Sequence, residues 1–454
     1  MNNASDLKQL ARAIFAAALQ DVDAGRALRT VLQLAGPRLT VVADEFDLDA
    51  RAGVYAVAIG KAAGAMASAF DDVIGPRLTR GVVSALPTPA PLSARWQVFA
   101  GGHPLPNEAS LAAGRAAHAL LQAANQPGAL VLFLISGGGS AMMELPRNRR
   151  VALADLRATN QALVSCGATI AEINAVRRAL SAIKGGGLAA LAPAAAQVSL
   201  IVSDTNPQAA AQVASGPTYT RAQTGDATQH IAAILERYQL RRQLPAPVLR
   251  ALDEAQLKTS AHDDDAQMSG ALRRHHVLLD NEHAQAAAAT AARARGFAVE
   301  LCADLIEAPV EVGCRELVAR LLRLRRQATD GRGVCLISGG EFVCPVRGDG
   351  TGGRNLEAAL RCALEFAEHA DEIARAGWRV AALHAGTDGV DGNSPAAGAC
   401  ADETTIARAH ALGLDAADYL ARSDAYNFFR PLGNIIQTGP TGTNVRDLRI
   451  LLAS

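Results

Sequence analysis

The feature of this sequence that most constrains its fold is a repeated unit: a short apolar run, a glycine-rich or polar loop, and an Ala- and Leu-rich stretch. Residues 54–60 (VYAVAIG), 129–136 (ALVLFLIS) and 197–202 (QVSLIV) are three such runs. Aliphatic runs of this length with little alternation are typical of strands that are buried on both faces. With helices between them, they predict an α/β fold with a parallel sheet.

The pattern loosens between residues 221 and 275 and then returns. Further strands are predicted within 275–281, 296–304, 333–341 and 378–389. We therefore predict two domains, residues 1–250 and residues 251–454, with the boundary region near 230–275. The Asp263–Asp265 run and the His275-His276 pair could form a metal cluster, but a solvated loop is the favoured interpretation.

Composition excludes several classes of function. The chain has 454 residues, of which 50% are hydrophobic, and its 44 basic residues balance its 44 acidic residues. A neutral chain with 4% aromatic residues is a poor candidate for binding nucleic acid or an anionic membrane. No signal peptide and no apolar run of about 18 residues is found. We expect a cytoplasmic enzyme with a small-molecule substrate, and the sequence leaves a homodimer open.

The first candidate site is the triple glycine that follows the second apolar run. Gly137, Gly138 and Gly139, with Ser140 after them, would expose backbone N–H groups to a phosphate or a carboxylate. A tight turn without a ligand is the alternative. Lys61 follows the first apolar run and could supply a fixed cation to the same anion. Its loop is not a P-loop, which needs GxxxxGK[ST].

Acidic residues follow two other predicted strands. Asp204 stands in VSDTNP, and Asp388 and Asp391 stand in HAGTDGVDGNS. Such carboxylates can hold Mg²⁺ or accept a proton from an attacking hydroxyl. Aspartates that cap loops are the alternative for all three.

A second glycine loop, RGDGTGGRNLEAAL at 347–360, precedes a predicted helix. Gly352 and Gly353 would let the backbone approach a ligand, with Asn355 beside it. Arg354 falls in the first helical turn, where a cation is unfavourable unless an anion is shared with the helix end. We therefore predict an anionic ligand at this position.

The stretch TGPTGTNVRDL at 438–448 mixes glycines with small polar side chains. Thr441 and Asn444 could surround a substrate that is rich in oxygen atoms. An ordinary N-capped helix start would explain part of the same pattern.

Taken together, the motifs resemble the glycerate kinase family that has a C-terminal MOFRL domain, whose relatives include tartronate-utilisation and hydroxypyruvate-reductase-like proteins. The resemblance covers nearly the whole chain and is carried by eight motifs in family order: GKAAGAMA, GGHPLPNEAS, LISGGGSA, NAVRRALSAIKGGGLA, SD…ASGPT, SGGE…GTGGRNLE, GTDGVDG and TGPTGTNVRDL.

The resemblance implies a Rossmann-like N-terminal domain, a smaller mixed-sheet C-terminal domain with its MOFRL region near 330–450, and an active site in the cleft between them. It implies transfer of a phosphoryl group from ATP, with Mg²⁺, to D-glycerate, giving 2-phosphoglycerate. Lys61 and Arg354 match the family's proposed active-site positions. We assign catalytic roles to Lys61, Arg354 and Asp204, and metal ligation to Asp204 and Asp388. The ligand-binding assignments are Gly137, Gly138, Gly139, Ser140, Gly352, Gly353, Asn355, Asp391, Thr441 and Asn444.

Two departures from the family pattern remove carboxylates. The stretch SDTNPQAAAQVASGPT has no acid after Asp204, and GNSPAAGA stands at 392–399 where relatives often have Pro-Thr-Asp. A related hydroxy acid therefore stays open as substrate. The alternative activity is an NAD(P)H-dependent reductase of hydroxypyruvate or tartronate semialdehyde. It would need a dinucleotide fingerprint, and the sequence is interpreted as having none. A sensor of sugar acids would not need so many charged groups beside glycine turns.

Overall fold

The structure is a computed structural model, and it describes residues 7–86, 91–220, 231–261, 271–329 and 331–454. The Asp263–Asp265 run lies outside these residues. The chain forms two compact units: one is Ala24–Leu278, and the other combines Met1–Asp23 with Leu279–Ser454. No helix in the described ranges is long and apolar enough to cross a membrane.

The elements are numbered in chain order. The strands are β1 Leu32–Ala35, β2 Arg38–Val41, β3 Asp44–Asp47, β4 Gly53–Ile59, β5 Arg80–Ser84, β6 Trp96–Phe99, β7 Ala129–Ser136, β8 Ala196–Val202, β9 Arg273–Leu279, β10 Ala298–Cys302, β11 Val334–Gly340, β12 Val380–Gly386, β13 Gly398–Asp402, β14 Ile435–Ile436 and β15 Asp447–Ala453. The helices are α1 Leu7–Asp21, α2 Ala24–Val31, α3 Ala63–Ile74, α4 Glu108–Ala124, α5 Gly139–Met142, α6 Leu153–Ser165, α7 Ile170–Leu180, α8 Gly187–Ala190, α9 Ile231–Arg237, α10 Ala246–Ala261, α11 Asn281–Arg293, α12 Val310–Gln327, α13 Arg354–Glu368, α14 Ala370–Ala376, α15 Thr405–Ala411, α16 Ala416–Ala421 and α17 Ala425–Phe429.

The 24–278 unit is built on a six-stranded sheet in the order β6-β5-β4-β7-β8-β9. Neighbouring strands from β6 to β8 are parallel, and every residue of β7 is buried. The three apolar runs predicted as buried strands are β4, β7 and β8, so the predicted parallel α/β fold is confirmed. The strand order reverses between β4 and β7. Ligands of open α/β sheets bind at such switch points, beyond the carboxyl ends of the strands.

The strand predicted at 275–281 belongs to this first sheet and not to the second domain. It is β9, which lies at the sheet edge next to β8, and the Gln197 N–H donates to the Leu272 carbonyl just before it. The compact units therefore divide after residue 278, whereas the sequence predicted the boundary at 250. A strand joins the edge of a sheet through backbone hydrogen bonds, and its side-chain pattern does not show which sheet that is.

The His275-His276 pair has structural contacts that explain its position. The His275 ring stacks on Tyr219 at 3.9 Å between centroids, and its Nε2 lies 3.2 Å from the Thr218 carbonyl. Burial lowers the pKa of His275. His276 Nε2 lies 3.7 Å from the Asp44 carboxylate. The pair thus packs against its own unit.

The other unit contains a six-stranded mixed sheet in the order β10-β11-β15-β12-β13-β14, as the family resemblance predicted. Strand β15 lies between β11 and β12 and runs antiparallel to both. Strands β11 and β12 therefore end at the same edge of the sheet, where β15 begins. Gly340 and Gly386, the last residues of these two strands, are both in register with Asp447.

Helix α1 belongs to this second unit, although the sequence placed residues 1–250 in the first domain. Five of its residues are buried in the core that the second sheet and α11 share: Leu7, Ala11, Ile14, Phe15 and Ala18. The buried residues recur at helical spacing, but the periodicity of one helix does not say which sheet it covers.

A buried ion pair ties together two segments beside the glycine loop of the first unit. The Lys184 ammonium, whose side chain is 2% exposed, contacts the Glu144 carboxylate. Ser181 Oγ also donates to Glu144, and the backbone of 145–147 bonds to residues 180 and 182. The segment after α5 is therefore anchored to the chain that follows α7.

Replacing the lysine of this pair should destabilise the fold. Lys184→Met leaves the Glu144 carboxylate buried without its counter-ion, and we expect the free energy of unfolding to fall by about 3–5 kcal/mol. Chemical denaturation followed by circular dichroism measures the loss. Arg241→Met is the matched control, because its ion pair with Asp253 is about half exposed on both sides and should contribute under about 1 kcal/mol. Equal small losses in the two variants would contradict the structural role of the pair.

Candidate active site

The glycine loop at 137–139 lies at the switch point of the first sheet, and a close neighbour or the backbone conformation disfavours a side chain at each position. A Cβ on Gly137 would lie 1.9 Å from Oδ2 of Asp204, and one on Gly139 would lie 2.8 Å from the Ala214 Cβ. Gly138 has a φ of +79°, which favours glycine. Glycine is therefore required here by close approach and by backbone conformation.

Lys61 is fixed to this glycine loop through its backbone. Its N–H donates to the Gly137 carbonyl at 2.8 Å, and the next N–H, of Ala62, donates to Ser136 Oγ at 2.9 Å. Gly60 makes this possible, because a Cβ there would lie 2.3 Å from the Ser136 carbonyl oxygen. The Lys61 stem passes the loop, with Cγ 3.2 Å from the position of a Cβ on Gly138. The structure thus brings the predicted cation to the predicted loop.

Asp204 meets the same loop from the end of β8. Its carboxylate approaches Gly137 so closely that only a hydrogen fits between them. Lys61, Asp204 and the loop at 137–139 were predicted from three separate stretches of sequence, and the first unit brings them together. A cation and a carboxylate beside one glycine loop can bind a phosphorylated ligand together with its metal counter-ion.

Ser140 is held by a chain of hydrogen bonds that the sequence did not predict. Its Oγ lies 2.6 Å from Ser215 Oγ, which in turn donates to Asn174 Oδ1 at 2.9 Å. Ala214 and Ser215 have φ values of +52° and +62°. Non-glycine residues in this region carry strain, so the surrounding structure must impose it. The stretches NAVRR and ASGPT contain these partners, and their polar residues among apolar neighbours were the available signal.

In the second unit, the predicted glycine loop packs on another loop of the same unit. A Cβ on Gly353 would lie 2.5 Å from the Asp391 carbonyl carbon, and one on Gly392 would lie 2.1 Å from the Gly352 oxygen. The Gly352 N–H also donates to Asn393 Oδ1 at 2.8 Å. Contact with Asp391 therefore explains Gly353 without a ligand, whereas a Cβ on Gly352 would lie 3.1 Å from the Ser423 carbonyl oxygen. The predicted binding role of both glycines stays a prediction.

Asp391 caps the helix that the sequence predicted to meet an anionic ligand. Its carboxylate accepts from the backbone N–H groups of Asn355 at 3.1 Å and Leu356 at 2.8 Å, at the start of α13, and from the Asn355 side chain. Burial raises the pKa of Asp391 to about 7, against the effect of these N–H groups. The helix end therefore has a protein carboxylate where the sequence predicted a ligand, and Asp391 and Asn355 are partners of each other.

Arg354 is oriented by two carboxylates. Its Nε and Nη2 donate to Asp447 at 2.5 and 3.1 Å, and Nη2 lies 2.8 Å from Glu341 Oε1. The Arg354 side chain is 36% exposed, whereas that of Asp447 is 2% exposed. Burial alone would raise the pKa of Asp447, but Arg354 and Arg449 hold it below its ordinary value. The guanidinium is thus fixed on one side by a buried anion.

Asp388, Thr441 and Asn444 lie in loops at the same edge of the second sheet and bond mainly to neighbouring backbone. The Val390 N–H donates to Asp388 Oδ1 at 3.1 Å, and Thr441 Oγ1 donates to the Thr387 carbonyl at 2.6 Å. Asn444 Oδ1 accepts from the Arg446 N–H at 3.3 Å. The Asp388 bond fits the loop-capping alternative. The helix start that was the alternative for Thr441 and Asn444 is not formed, because strand β15 follows them. Ligand binding by the three residues stays a prediction.

The two predicted metal ligands, Asp204 and Asp388, belong to different compact units. Within the described ranges, no group of three or more His, Cys, Asp or Glu side chains is placed to hold a metal ion. A Mg²⁺ ion that arrives with a nucleotide needs fewer protein ligands, since phosphate oxygens and water complete its shell. Asp204 lies beside the glycine loop and can serve as a single protein ligand of such an ion.

The sequence did not predict three residues of the candidate site in the second unit. Asp447 and Glu341 orient Arg354, and their positions after TGPTGTN and at the end of β11 could have indicated them. Asn281 is buried and joins two strand ends, because its Nδ2 donates to the carbonyls of Val445 and Asp447 and its Oδ1 accepts from the Gly340 N–H. Nothing in its sequence context indicates this role.

Comparisons with known proteins agree with a two-part chain of this fold. Residues 10–253 match the model of a domain of unknown function, DUF4147, and residues 334–447 match the MOFRL family. D-glycerate 2-kinase of Thermotoga maritima is 32% identical over 99% of both chains. A protein of Agrobacterium vitis whose name, given provisionally, is hydroxypyruvate reductase is 34% identical over 95% of both chains.

The crystal structure of glycerate kinase from Thermotoga maritima superposes with a TM-score of 0.78, at 29% identity over 99% of each chain. The parallel sheet with its glycine loop, the mixed sheet and the two family matches define an α/β enzyme of two parts. The chain belongs to the glycerate kinase family with a C-terminal MOFRL domain.

The pairing of Arg354 with a buried carboxylate predicts a loss of stability on substitution. Arg354→Met leaves Asp447 buried without its bidentate partner, and the free energy of unfolding should fall by about 1–3 kcal/mol. Arg326→Met is the control, because both Arg326 and its partner Glu372 are exposed enough for water to replace the pair. Thermal and urea denaturation of both variants measure the difference, and an unchanged Arg354→Met protein would contradict the anchoring role of Asp447.

Proposed function

We propose that this protein transfers the terminal phosphoryl group of ATP to the C2 hydroxyl of D-glycerate, giving 2-phosphoglycerate. The observation that carries the proposal is the glycine loop at the switch point of the first sheet, with Lys61 bonded to it and Asp204 against it. The full-length similarity to a D-glycerate 2-kinase and to glycerate kinases supports the same reaction.

The glycine loop has the features that phosphate binding needs. Backbone N–H groups of residues 137–139 would bind phosphate oxygens, and Lys61 would neutralise the charge that they carry. Ser140, whose hydroxyl donates to Ser215 Oγ in this structure, would bind the same phosphates by turning that hydroxyl toward them. Asp204 would be the protein ligand of a Mg²⁺ ion bound together with the nucleotide, and that ion would supply further charge neutralisation. Phosphoryl transfer depends mainly on such positioning and electrostatics.

Arg354 is proposed to bind an anion on the acceptor side, either the glycerate carboxylate or the phosphoryl group in transfer. Its bonds to Asp447 and Glu341 use Nε and Nη2 and fix the plane of the guanidinium. Nη1, which none of these bonds uses, would meet the ligand. A preoriented guanidinium loses little side-chain entropy on binding, and this favours Arg over Lys at the position.

The reductase alternative requires a loop that binds a dinucleotide. Residues 348–353 do spell GxGxxG and precede α13. A dinucleotide fingerprint follows its strand directly, however, and β11 already ends at Gly340. A Cβ on Gly348 or Gly350 would lie 2.8 or 2.5 Å from the Arg422 carbonyl oxygen, so these glycines pack on protein backbone where a pyrophosphate would have to lie. The arrangement favours the kinase.

The reaction can be tested directly. We expect ADP release that depends on D-glycerate and Mg²⁺, with the product identified as 2-phosphoglycerate by phosphorus NMR. L-glycerate, tartronate and hydroxypyruvate serve as comparison substrates in the same coupled assay. We expect no oxidation of NADH or NADPH with hydroxypyruvate. Hydroxypyruvate-dependent loss of nicotinamide absorbance without ATP turnover would overturn the proposal in favour of a reductase.

The role of Arg354 can be tested separately from its role in stability. Arg354→Lys keeps a positive charge near Asp447 but loses the planar, bidentate guanidinium. We expect kcat/KM to fall by roughly 30- to 1000-fold, which corresponds to about 2–4 kcal/mol of transition-state stabilisation. Arg326→Lys, at an exposed position of α12, should leave kcat/KM unchanged. Near-normal kcat/KM in folded Arg354→Lys protein would remove Arg354 from the site.

A further inference from the structure

We infer that His103 is an additional binding residue for the phosphate groups of the nucleotide. This inference rests on the proposed kinase function and extends it to a side chain that the sequence motifs left without a role. His103 is exposed, and its imidazole lies against Gly138 of the glycine loop. A Cβ on Gly138 would lie 3.0 Å from the His103 Cδ2 and 3.3 Å from its Nε2.

His103 and Lys61 meet the same glycine. The Lys61 Cγ lies 3.2 Å from the point at which the His103 ring is also closest, the position of a Cβ on Gly138. Two side chains with nitrogen donors therefore flank one residue of the proposed phosphate loop. An imidazole N–H can donate to a phosphate oxygen, and a charge-assisted bond of this kind is stronger than one between neutral groups.

The backbone that carries His103 is anchored on both sides. Upstream, the Gly102 N–H donates to Ser110 Oγ at 2.9 Å. Downstream, Asn107 caps α4 through the Ser110 N–H, and its Nδ2 donates to the Ala100 carbonyl at 3.0 Å. The loop from Ala100 to Asn107 is thus closed by the start of a seventeen-residue helix. A side chain held in this way is preorganised for a ligand.

The loop that carries His103 also packs against the end of α5, the short helix that follows the glycine loop. A Cβ on Gly101 would lie 2.2 Å from the Met142 carbonyl oxygen and 2.4 Å from Ser84 Oγ, which donates to that carbonyl at 2.5 Å. Met142 is the last residue of α5, the short helix that begins at Gly139. The backbone that carries His103 is therefore placed against α5, the helix that begins in the glycine loop, by direct packing.

The competing explanation is that the His103 ring only covers Gly138. Packing and hydrogen bonding can be separated by two substitutions. His103→Phe keeps a flat ring over the glycine but removes both ring nitrogens, whereas His103→Gln keeps an N–H donor and loses the ring. His410→Gln is the matched control, because His410 is exposed in α15 of the other unit.

The experiment is isothermal titration of the full chain with ADP, inorganic pyrophosphate and adenosine. We expect His103→Phe to bind ADP and pyrophosphate roughly 10- to 100-fold more weakly, the value of one hydrogen bond to a charged group, and to bind adenosine as the wild type does. The affinity of His103→Gln for ADP and pyrophosphate should lie between those of His103→Phe and the wild type. His410→Gln should bind all three ligands as the wild type does. In the kinase assay, KM for ATP should rise while KM for D-glycerate stays the same.

Unchanged affinity of His103→Phe for ADP and pyrophosphate, with a normal melting curve, would overturn the role of His103 and leave the kinase proposal standing. Equal weakening of adenosine and pyrophosphate binding would also overturn it, because the ring would then shape the whole pocket. A wild-type chain that binds neither ADP nor pyrophosphate would overturn this inference together with the phosphate-binding role of the glycine loop.

Discussion

The candidate site of the first unit depends on direct contact between the backbones at the ends of β4 and β7. The Lys61 N–H reaches the Gly137 carbonyl, and Gly60 lies so close to Ser136 that no Cβ fits between them. Any side chain at Gly60 would separate the two strand ends and move Lys61 away from the loop. Because the two strands are parallel neighbours at the switch point, this contact places a cation and a glycine loop at the position where α/β sheets bind ligands.

In the second unit, charged groups hold the strand ends in place. Strand β15 brings Asp447 between the ends of β11 and β12. Asn281 joins β15 to β11, because it donates to the Val445 and Asp447 carbonyls and accepts from the Gly340 N–H. A carboxylate buried this deeply is costly unless cations pair with it. Arg354 and Arg449 supply that compensation, so the position of Arg354 is a consequence of how the sheet is assembled. The same bonds leave one side of the guanidinium for the anion that we propose.

The sequence predicted some of the contacts in the two candidate sites and not others. Lys61, Asp204 and the loop at 137–139 were chosen because they follow buried strands, and the parallel sheet brings strand ends together. The glycines at 352–353 were predicted to form a ligand loop; the structure shows them in contact with other loops of the same unit, and their binding role stays a prediction. Asp391 was predicted to bind a ligand, and the structure shows that it caps α13, a contact that the sequence did not predict. A glycine or an aspartate in a loop looks the same in sequence whether its partner is a ligand or another loop.

The sequence by itself determined the class of fold, the buried strands, the two-part organisation and the residues that stand at strand ends, because burial and periodicity are recorded along the chain. Only the tertiary structure decided which sheet β9 joins and which unit contains α1. It also decided that Asp447 and Glu341 pair with Arg354 and orient it. It also decided that His103, Lys61 and Gly138 meet. These are contacts between residues far apart in sequence, and the pattern of neither partner specifies the other.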